Sequence, residues 1–463
     1  MAPDGTFYSD PGALWATNPG LIPSDNTNVN ALWDNRLWWE EPVYDWWSGV
    51  ASEPVVATDG TIIVALETGY DTTLLVGFNP TNGGIVWTLD DPAGARGGSS
   101  GELALDSNGN ICVADPQSVF SFASGAGSLN WFFDYPTSNP SVASNSSWGF
   151  TYAGPVVGAD GTVYVNSDLG QLFALNGTNG SLKWVSLLPS GQTNGLLYGC
   201  SPAIGYGGIL YFGAANYFFG VNPTNGSYLW TFRPSHPDEM FAYSPVVGGD
   251  GTVYVHTWSP GTNRLYALNP ATGVARWTNV LRATTLVVGE APRVWSKGTL
   301  ALAADGEIYV GDIDNTVYSF APNGSRNWTY VPGGGVYYAF LNSLLIAPDG
   351  TLFVGDGESG GSALTGPAPL ACAPWPEYRK NNRRTAAVAP PTIGAHLDSP
   401  AMTTSGFQFT VTAATNSTEC ICASRNLVTW TNLGQVVLTN GPANFVDTGA
   451  SNYQYRFYRS LPQ

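Results

Sequence analysis

The sequence predicts an all-β protein: a seven-bladed β-propeller with N-terminal strand closure, followed by a small C-terminal β-sandwich. A short pattern of an apolar run, a glycine turn and a second β-branched run recurs seven times along the chain, and the turn is Asp-Gly in five of the seven copies. Charged residues make up only 11%, whereas there are 56 glycines, 17 tryptophans and 23 tyrosines. This mixture is typical of many short strands joined by tight turns, and helical patterns are nearly absent.

Each copy of the pattern predicts a β-hairpin. The copy at 244–255 reads SPVVGGDGTVYV, and Asp-Gly between two β-branched runs is a strong hairpin signal. The other copies begin at residues 52, 101, 153, 201, 299 and 343. We therefore expect two antiparallel strands from each of the seven copies.

Two further strands follow the hairpin in most copies. The third is an apolar run such as QLFALNGTNG at 171–180, and the fourth carries a tryptophan. These tryptophans are Trp87, Trp131, Trp184, Trp230, Trp277 and Trp328. Four short strands in a unit of about 48 residues are the signature of a propeller blade, so seven hairpins predict seven blades.

The seventh blade needs an outer strand from elsewhere in the chain, because only six tryptophan strands lie inside the ring. The segment RLWWEE at 36–41 lies one period before Trp87. We expect it to close the seventh blade beside SALTG at 362–366, which removes an open sheet edge. The predicted units are then an N-terminal extension at 1–35 and the propeller at 36–372.

The charge of the chain limits its partners. Seventeen basic and 34 acidic residues give a formal charge of −17, which opposes binding to nucleic acid. No apolar run approaches the roughly 18 residues of a transmembrane helix, so no membrane-spanning segment is expected. We interpret the chain as a mature protein whose secretion signal has been removed.

The repeat resembles a known family. The pattern S-P-x-x-x-x-D-G-T-x-Y-V, then L-Y-A-L-N-x-x-x-G, then a tryptophan, covers roughly residues 36–366 and resembles the PQQ-like repeat of quinoprotein dehydrogenases and of the outer-membrane assembly propeller lipoprotein. The resemblance implies a propeller in which each tryptophan packs between neighbouring blades. Quinoproteins hold their cofactor on a vicinal cysteine disulfide and a calcium site, and this chain has no Cys-Cys pair. We therefore expect no cofactor, no metal and no PQQ-dependent dehydrogenase activity.

The five cysteines form no recognisable framework. Cys112 and Cys200 lie beside strand-like runs, and we interpret them as small buried residues. The pair Cys420 and Cys422 has three interpretations: two ordinary strand residues, a ligand pair for a soft metal, or a cross-link.

Two segments follow the propeller. The segment APWPEYRKNNRRTA at 373–386 resembles a sequence that flanks such propellers in secreted bacterial proteins. Its basic residues, Arg379, Lys380, Arg383 and Arg384, indicate a clamp that packs Trp375 on the propeller or, alternatively, a site for an acidic ligand.

After this clamp and the Pro-rich linker, which together span 373–392, residues 393–463 alternate with period two and predict the β-sandwich. The sandwich resembles a module of secreted and cell-surface bacterial proteins, which implies a secreted or cell-envelope location.

Long irregular loops are expected on one face of the propeller, and short Asp-Gly turns on the other. The long loops lie at 90–100, 134–152, 233–243, 282–298 and 332–340. Aromatic rings with scattered polar groups suit sugar rings, so we predict a polysaccharide or other glycan as the ligand, with a cell-surface protein as a further possible partner. The predicted ligand-binding residues are Trp46, Trp47, Trp148, Tyr152, Arg233, Trp258, Trp295 and Tyr337.

Two other functions remain open on sequence grounds. The first is an enzyme on the same face, either a lyase or a glycoside hydrolase. The candidate catalytic residues are His236, Asp238, Glu290, Arg293 and Tyr338, and the further ionisable candidates are Glu239 on the loop of His236, His256 one blade on and Lys297 two blades on. A hydrolase would need two carboxylates about 5 to 10 Å apart from the set Asp168, Asp238, Glu290, Asp312, Asp314, Asp356 and Glu358. The second alternative is an envelope scaffold for protein interactions.

Overall fold

The computed structural model is built from β-strands and short 3₁₀ turns. It describes residues 7–9, 14–17, 31–35, 49–50, 52, 54–67, 73–90, 103–106, 108–114, 118–134, 154–167, 170–187, 200–241, 243–259, 262–281, 300–312, 316–331, 341–347, 349–356, 360–371, 373, 376, 396–413, 417–425, 431–439, 441–453 and 456–462. Among these residues there is no α-helix, and no helix is long and apolar enough to cross a membrane. The predicted all-β class is confirmed.

Residues 49–365 form consecutive antiparallel sheets, numbered here in chain order. The strands of sheet 1 are Gly49–Val50, Val55–Val56, Ile62–Glu67, Thr73–Phe78 and Ile85–Asp90. Those of sheet 2 are Leu103–Leu105, Asn110–Ala114, Ser118–Ala123 and Leu129–Asp134. Those of sheet 3 are Val156–Val157, Val163–Asn166, Leu172–Leu175 and Leu182–Ser186. Those of sheet 4 are Ala203–Ile204, Leu210–Ala214, Tyr217–Val221 and Tyr228–Phe232, with a 3₁₀ turn at Tyr206–Gly208.

The remaining sheets of this region continue the series. The strands of sheet 5 are Val246–Val247, Val253–His256, Arg264–Leu268 and Ala275–Val280. Those of sheet 6 are Leu300–Leu302, Ile308–Asp312, Thr316–Phe320 and Arg326–Tyr330. Those of sheet 7 are Leu341–Ile346, Thr351–Asp356 and Gly360–Thr365. Sheets 2 to 7 are meanders, so we count their strands from first to last in chain order; in sheet 1 the first strand is Val55–Val56.

The turn between the first and second strands explains the Asp-Gly signal. In sheet 1 the Gly60 N–H donates to the Ala57 carbonyl at 3.1 Å, and the Ala57 N–H donates to the Thr61 carbonyl at 2.9 Å. Gly60 has φ 89°, a left-handed conformation that favours glycine. The Asp59 carboxylate accepts the Thr61 N–H at 3.0 Å. The hairpin therefore has a three-residue loop that ends in a glycine bulge, and this loop sets the register of the two strands.

The tryptophan of the fourth strand joins each of sheets 1 to 5 to the sheet that follows it. The Trp230 indole N–H donates to the Pro270 carbonyl of sheet 5 at 2.8 Å, and its ring lies against Gly273. Gly273 has φ 70°, and a Cβ there would stand 2.4 Å from the ring. The equivalent bonds are Trp87 to Ser124 (2.7 Å), Trp131 to Gly177 (2.7 Å), Trp184 to Pro223 (3.0 Å) and Trp277 to Pro322 (3.0 Å). The prediction that these tryptophans pack between neighbouring sheets is confirmed.

The first strands of neighbouring sheets surround a common axis. They contact each other between sheets 1 and 2, 2 and 3, 4 and 5, 5 and 6, and 6 and 7. Two serines of the repeat link them, since the Gly154 N–H donates to Ser201 Oγ at 2.8 Å and the Ser201 N–H donates to Ser244 Oγ at 3.0 Å. These side chains are buried, as are nearly all residues of the first three strands in sheets 2 to 6. This radial arrangement of sheets is that of a β-propeller.

The propeller region has two distinct faces. The first-to-second and third-to-fourth turns lie together, as in sheet 2, where the Ser124 N–H donates to the Gly109 carbonyl at 3.0 Å. The second-to-third loops lie with the connections between sheets, because Met240 and Trp258 form an antiparallel bridge. We call these the hairpin-turn face and the long-loop face.

The chain returns to the axis after sheet 7. A segment that we call the strap, comprising residues 369–371, 373 and 376, runs beside the first strand of sheet 6. The Leu302 carbonyl accepts the Ala371 N–H at 2.8 Å, and the Leu302 N–H donates to the Pro376 carbonyl at 2.9 Å. Leu370 packs among residues of sheets 6 and 7, and Ala373 among residues of sheets 5 and 6. The strap therefore crosses the inner edge of sheet 6.

Residues 396–462 form a separate pair of sheets, which we call the C-terminal unit. Its first sheet has the strands His396–Thr403, Gly406–Thr412 and Ala443–Asp447. Its second sheet has the strands Ser417–Ser424, Thr431–Leu438 and Phe457–Pro462, and a 3₁₀ turn occupies Ala450–Asn452. The two sheets share one apolar cluster, which includes Phe409, Val411 and Ile421.

The N-terminal region contains a sheet that the sequence patterns did not predict. Its strands are Phe7–Ser9, Leu14–Thr17 and Ala31–Asn35, paired antiparallel in chain order. The predicted closing strand at 36–41 lies outside the described residues, as do Trp375, Arg379, Lys380, Arg383 and Arg384. Closure by that strand and the basic clamp therefore stay predictions.

The contact between Trp230 and Gly273 predicts a pair of contrasting glycine variants. Gly273→Ala and Gly161→Ala both place a side chain at positive φ, at 70° and 77°, which costs about 1–2 kcal/mol. Only at Gly273 does the new Cβ meet a tryptophan ring, since nothing lies within 4 Å of a Cβ at Gly161. We expect Gly273→Ala to lose a further amount of about 1–3 kcal/mol in the free energy of unfolding, measured by urea denaturation. Equal losses in both variants would contradict the packing role of Trp230.

Candidate functional site

The connection from sheet 4 to sheet 5, residues 233–243, is tied to both sheets. The Met240 N–H donates to the Trp258 carbonyl at 2.8 Å, and the Trp258 N–H donates back to Met240 at 2.9 Å. The Phe241 N–H donates to the Ala215 carbonyl of sheet 4 at 2.7 Å. The Phe241 ring lies 5.2 Å from that of Phe218. This loop is therefore anchored on the long-loop face rather than free in solvent.

A buried carboxylate, that of Glu239, holds the same loop on sheet 5. Glu239 is 0% exposed and forms a salt bridge with the guanidinium of Arg264, at the start of the third strand of sheet 5. Its Oε2 also accepts the Tyr266 hydroxyl at 2.6 Å and the Thr257 hydroxyl at 2.9 Å. A buried charge needs this degree of compensation, because desolvation of an unpaired carboxylate is costly.

The electrostatics of this group, the Glu239 cluster, fit a structural role. Burial together with the hydrogen bond to the Glu239 carboxylate raises the pKa of Tyr266, so its hydroxyl stays protonated and donates. Arg264 retains partial contact with solvent, with 21% of its side chain exposed. The cluster therefore fixes the loop, while the outer part of the loop stays exposed.

The outer part of the loop carries exposed polar groups beside an aromatic ring. The Arg233 guanidinium lies over the Tyr217 ring, 5.1 Å from its centroid. His236 Nδ1 and Asp238 Oδ2 are 4.0 Å apart, and their side chains are 60% and 70% exposed. The guanidinium, imidazole and carboxylate together offer exposed hydrogen-bond donors and acceptors. The Tyr217 ring itself stacks on Phe219, with centroids 6.0 Å apart.

His256 lies inside the propeller region rather than on the face. It is fully buried, and its ring stacks on Tyr243 with centroids 3.7 Å apart. Burial lowers the pKa of His256 from 6.5 to about 3, so the imidazole is neutral. The Cys200 thiol donates to the Tyr243 carbonyl at 3.0 Å, and burial raises the pKa of Cys200 to about 12. These groups are packed and uncharged near neutral pH.

Asp312 is likewise buried. Its Oδ1 accepts the side-chain N–H of Asn263 at 2.6 Å, which joins the second-to-third loops of sheets 5 and 6. Only 1% of Asp312 is exposed. Asp238, by contrast, lies on the exposed loop, so these two predicted carboxylates differ in their access to solvent.

The structure describes some of the predicted site residues. Arg233, His236 and Asp238 lie together on the 233–243 loop. Trp258 is also on this face but is only 6% exposed, so its ring packs beneath the loop instead of offering a free face. For Asp356 only the backbone is described, at the end of the second strand of sheet 7. Outside the described residues lie Trp46, Trp47, Trp148, Tyr152, Asp168, Glu290, Arg293, Trp295, Lys297, Asp314, Tyr337, Tyr338 and Glu358.

Sequence reasoning missed the residues that support the loop. Arg264, Thr257 and Tyr266 belong to the second-to-third loop and third strand of sheet 5, which look like ordinary repeat positions. Tyr217 begins the third strand of sheet 4. One signal was present: the motif RLYAL begins with the charged residue Arg264, where the equivalent motif of sheet 3, QLFAL, begins with Gln171.

The cysteines do not fit a quinone site. Cys112 lies in sheet 2, Cys200 precedes sheet 4, and Cys420 and Cys422 lie in the C-terminal unit; all four are buried and stand outside any disulfide. No group of three His, Cys, Asp or Glu side chains gathers as a metal site in the described part of the chain. The described residues therefore offer no support for the vicinal disulfide that holds the quinone in quinoproteins.

A protein-family model described as "Outer membrane protein assembly factor BamB" matches residues 71–239 and 220–367. The comparison with curated proteins gave no match. Three solved structures are similar in fold, each at 15% sequence identity over 78% of this chain.

The first of these structures is BamB from Moraxella catarrhalis, with a TM-score of 0.52 over 92% of its chain. The second is a quinohemoprotein alcohol dehydrogenase from Comamonas testosteroni, with a TM-score of 0.54 over 72% of its chain. The third is quinohemoprotein alcohol dehydrogenase ADHIIG from Pseudomonas putida HK5, with a TM-score of 0.51 over 69% of its chain. At this identity the likeness establishes the fold and does not extend to activity.

Removing the charge of Glu239 is expected to destabilise the protein. Glu239→Gln keeps the shape of the side chain but leaves Arg264 without its ionic partner, and the free energy of unfolding should fall by about 3 kcal/mol. Asp238→Asn is the matched control one residue away, and because Asp238 is exposed its effect should stay within about 0.5 kcal/mol. Urea denaturation measures both. A loss below about 1 kcal/mol for Glu239→Gln would contradict the anchoring role of the cluster.

Protonation of His256 predicts a pH dependence. Its pKa is about 3 in the folded protein and 6.5 in the unfolded chain, so between these values the unfolded chain binds the extra proton. The contribution of His256 to stability is thus complete above about pH 6.5 and is lost as the pH falls towards 3. We expect the free energy of unfolding of the wild type to fall faster with decreasing pH than that of His256→Gln, by up to about 1.4 kcal/mol per pH unit. Parallel pH profiles of the two proteins would contradict a buried neutral imidazole.

Proposed function

The chain belongs to the PQQ-like repeat family whose model is described as outer membrane protein assembly factor BamB, and from this premise we propose that it is a binding protein whose long-loop face holds a polysaccharide. The membership confirms the family resemblance of the repeat, and it establishes a β-propeller. The members and neighbours in this fold differ in activity, so the ligand must be argued from the described face itself.

One observation carries the proposal: Arg233, His236 and Asp238 stand exposed together on one loop, which the Glu239 cluster fixes. A fixed loop loses little conformational entropy when a ligand binds. The hydroxyls of a sugar can exchange hydrogen bonds with the guanidinium, imidazole and carboxylate. The loop thus supplies the charged and polar donors and acceptors that sugar hydroxyls need.

The charge of the chain favours a neutral polysaccharide over an acidic one. A formal charge of −17 repels a polyanion at long range, and Asp238 would repel it at the loop. Neutral sugars meet no such barrier. We therefore propose a neutral polysaccharide as the ligand class.

We also propose the number of blades, the fold of the C-terminal unit and the location of the protein. Sheets 1 to 7 support a ring of seven blades, and the shared apolar cluster of the C-terminal unit supports a small β-sandwich. We place the protein outside the cytoplasm, in the secreted fraction or the cell envelope, on the resemblance of its C-terminal sequence to modules of secreted bacterial proteins.

A second candidate function is an envelope scaffold for protein interactions. Family membership favours it, because the matching model is described as an outer membrane protein assembly factor. In this case the exposed loop groups would contact a protein instead of a sugar.

Affinity electrophoresis tests the first candidate. We expect native gels cast with neutral polysaccharides to retard the protein relative to an albumin control, and Arg233→Gln to weaken the retardation about tenfold in apparent affinity, because a charged hydrogen-bond donor is lost. Arg276→Gln is the control, since Arg276 pairs with Asp250 on the hairpin-turn face. Shortening of the polymer during incubation would instead indicate an enzyme.

Two results would contradict the glycan proposal. Equal retardation of Arg233→Gln and the wild type would remove the described loop from the binding site. A lack of retardation by every polysaccharide would leave the protein scaffold as the better candidate.

A further inference from the structure

The central strand of the second sheet of the C-terminal unit, Ser417–Ser424, is buried on both sides. Ile421 lies within the apolar cluster between the two sheets of this unit, so Cys420, Cys422 and Ser424 point to the opposite, outward side. These outward residues are nevertheless only 0%, 1% and 3% exposed. A sheet at the surface of a free two-sheet unit would expose this side, so something else covers it.

The propeller region supplies that cover. Arg459 and Asn432 are the cross-strand partners of Cys422 on the two neighbouring strands, and such partners share one side of a sheet. Arg459 Nη2 donates to the Tyr206 hydroxyl at 2.7 Å, and its guanidinium lies over the Tyr206 ring, 5.3 Å from the centroid. Asn432 Nδ2 donates to the Leu370 carbonyl of the strap at 3.5 Å.

The C-terminal unit contacts the propeller region on its hairpin-turn face, where two neighbouring turns are already hydrogen-bonded to each other. Tyr206 lies in the first-to-second turn of sheet 4, and its hydroxyl donates to the Gly249 carbonyl in the same turn of sheet 5 at 2.9 Å. Arg459 Nη2 also approaches that carbonyl at 3.5 Å. One arginine thus joins the turns of two neighbouring sheets, while Asn432 joins the strap that crosses sheet 6.

We infer that the C-terminal unit is a cap on the hairpin-turn face of sheets 4 to 6, docked through the side that carries Cys420, Cys422, Asn432 and Arg459. The cap covers part of this face, and Tyr206 remains 37% exposed beside it. It also explains the paired cysteines: they are small side chains that let the sheet approach the turns closely. This inference does not depend on the glycan proposal.

The cysteines provide a direct measure of docking. When the cap is seated, Cys420 and Cys422 are covered, whereas undocking exposes them to an alkylating reagent without unfolding either unit. Cys112 and Cys200 lie inside the propeller region and serve as internal references, because they become reactive only when the propeller opens. Peptide mass spectrometry after timed alkylation with iodoacetamide reads each cysteine separately.

We expect Arg459→Gln and Tyr206→Ala each to raise the alkylation rate of Cys420 and Cys422 about tenfold, because each removes the contact from one side. In the double variant, the alkylation rate of Cys420 and Cys422 should be about that of the faster single variant, since both changes remove the same interaction. Arg425→Gln is the matched control: Arg425 belongs to the same unit, and its guanidinium lies over Tyr453 of that unit. Its labelling rate should equal that of the wild type.

Three results would overturn the inference. Unchanged labelling in both Arg459→Gln and Tyr206→Ala would mean that these residues do not hold the unit. Fast labelling of Cys420 and Cys422 in the wild type, at the rate of the urea-unfolded chain, would mean that nothing covers them. Parallel acceleration at Cys112 and Cys200 would mean that the contact supports the whole fold and not a separable cap.

Discussion

The indole contact between neighbouring sheets is the interaction on which the rest of the structure depends. A four-stranded sheet cannot bury both of its faces alone, and it gains a second face only by packing against another sheet. The tryptophan fixes how the two sheets meet, because its N–H requires a carbonyl at one place and its ring requires a glycine at another. Since one such link joins each pair of consecutive sheets from 1 to 6, the angle between sheets is repeated. The sheets therefore form a propeller instead of an irregular stack.

The candidate site builds on this rigid frame. Sheets 4 and 5 are held together by Trp230 at their outer edge and by the bond to Ser244 at the axis. The 233–243 loop spans the two sheets, so its anchoring groups have fixed positions relative to one another. Glu239 can be buried there because Arg264, Tyr266 and Thr257 all come from one sheet and converge on it. Such convergence compensates the desolvation of a charge, and the outer loop groups remain exposed.

The predictable part of this protein is the part that repeats. Asp-Gly turns and the tryptophan positions recur in sequence, and their chemistry is local, so hairpins and inter-sheet packing could be predicted from residue patterns alone. The Glu239 cluster occurs once and unites residues up to 27 positions apart, so no periodicity marks it. The burial of Trp258 and His256 was also beyond sequence reasoning, because an aromatic or imidazole ring near a loop looks the same whether it faces solvent or the core. The docking side of Ser417–Ser424 was marked in the sequence only by its small residues. It carries two cysteines and a serine, whereas a solvent-facing strand would carry larger polar residues.

The direction of the tryptophan links bears on how the chain folds during synthesis. Each indole bonds to the sheet that follows it in the chain: Trp87 needs Ser124, and Trp277 needs Pro322. A repeat that has just left the ribosome therefore lacks its acceptor until most of the following repeat has emerged. The growing end of the chain always carries one sheet with an unsatisfied indole and an uncovered apolar side, which is the kind of surface that leads to aggregation. A translation pause within the propeller would thus prolong the exposure of this apolar side. A chain released early would end in a sheet that exposes an apolar side and is prone to aggregate, whatever the number of completed repeats.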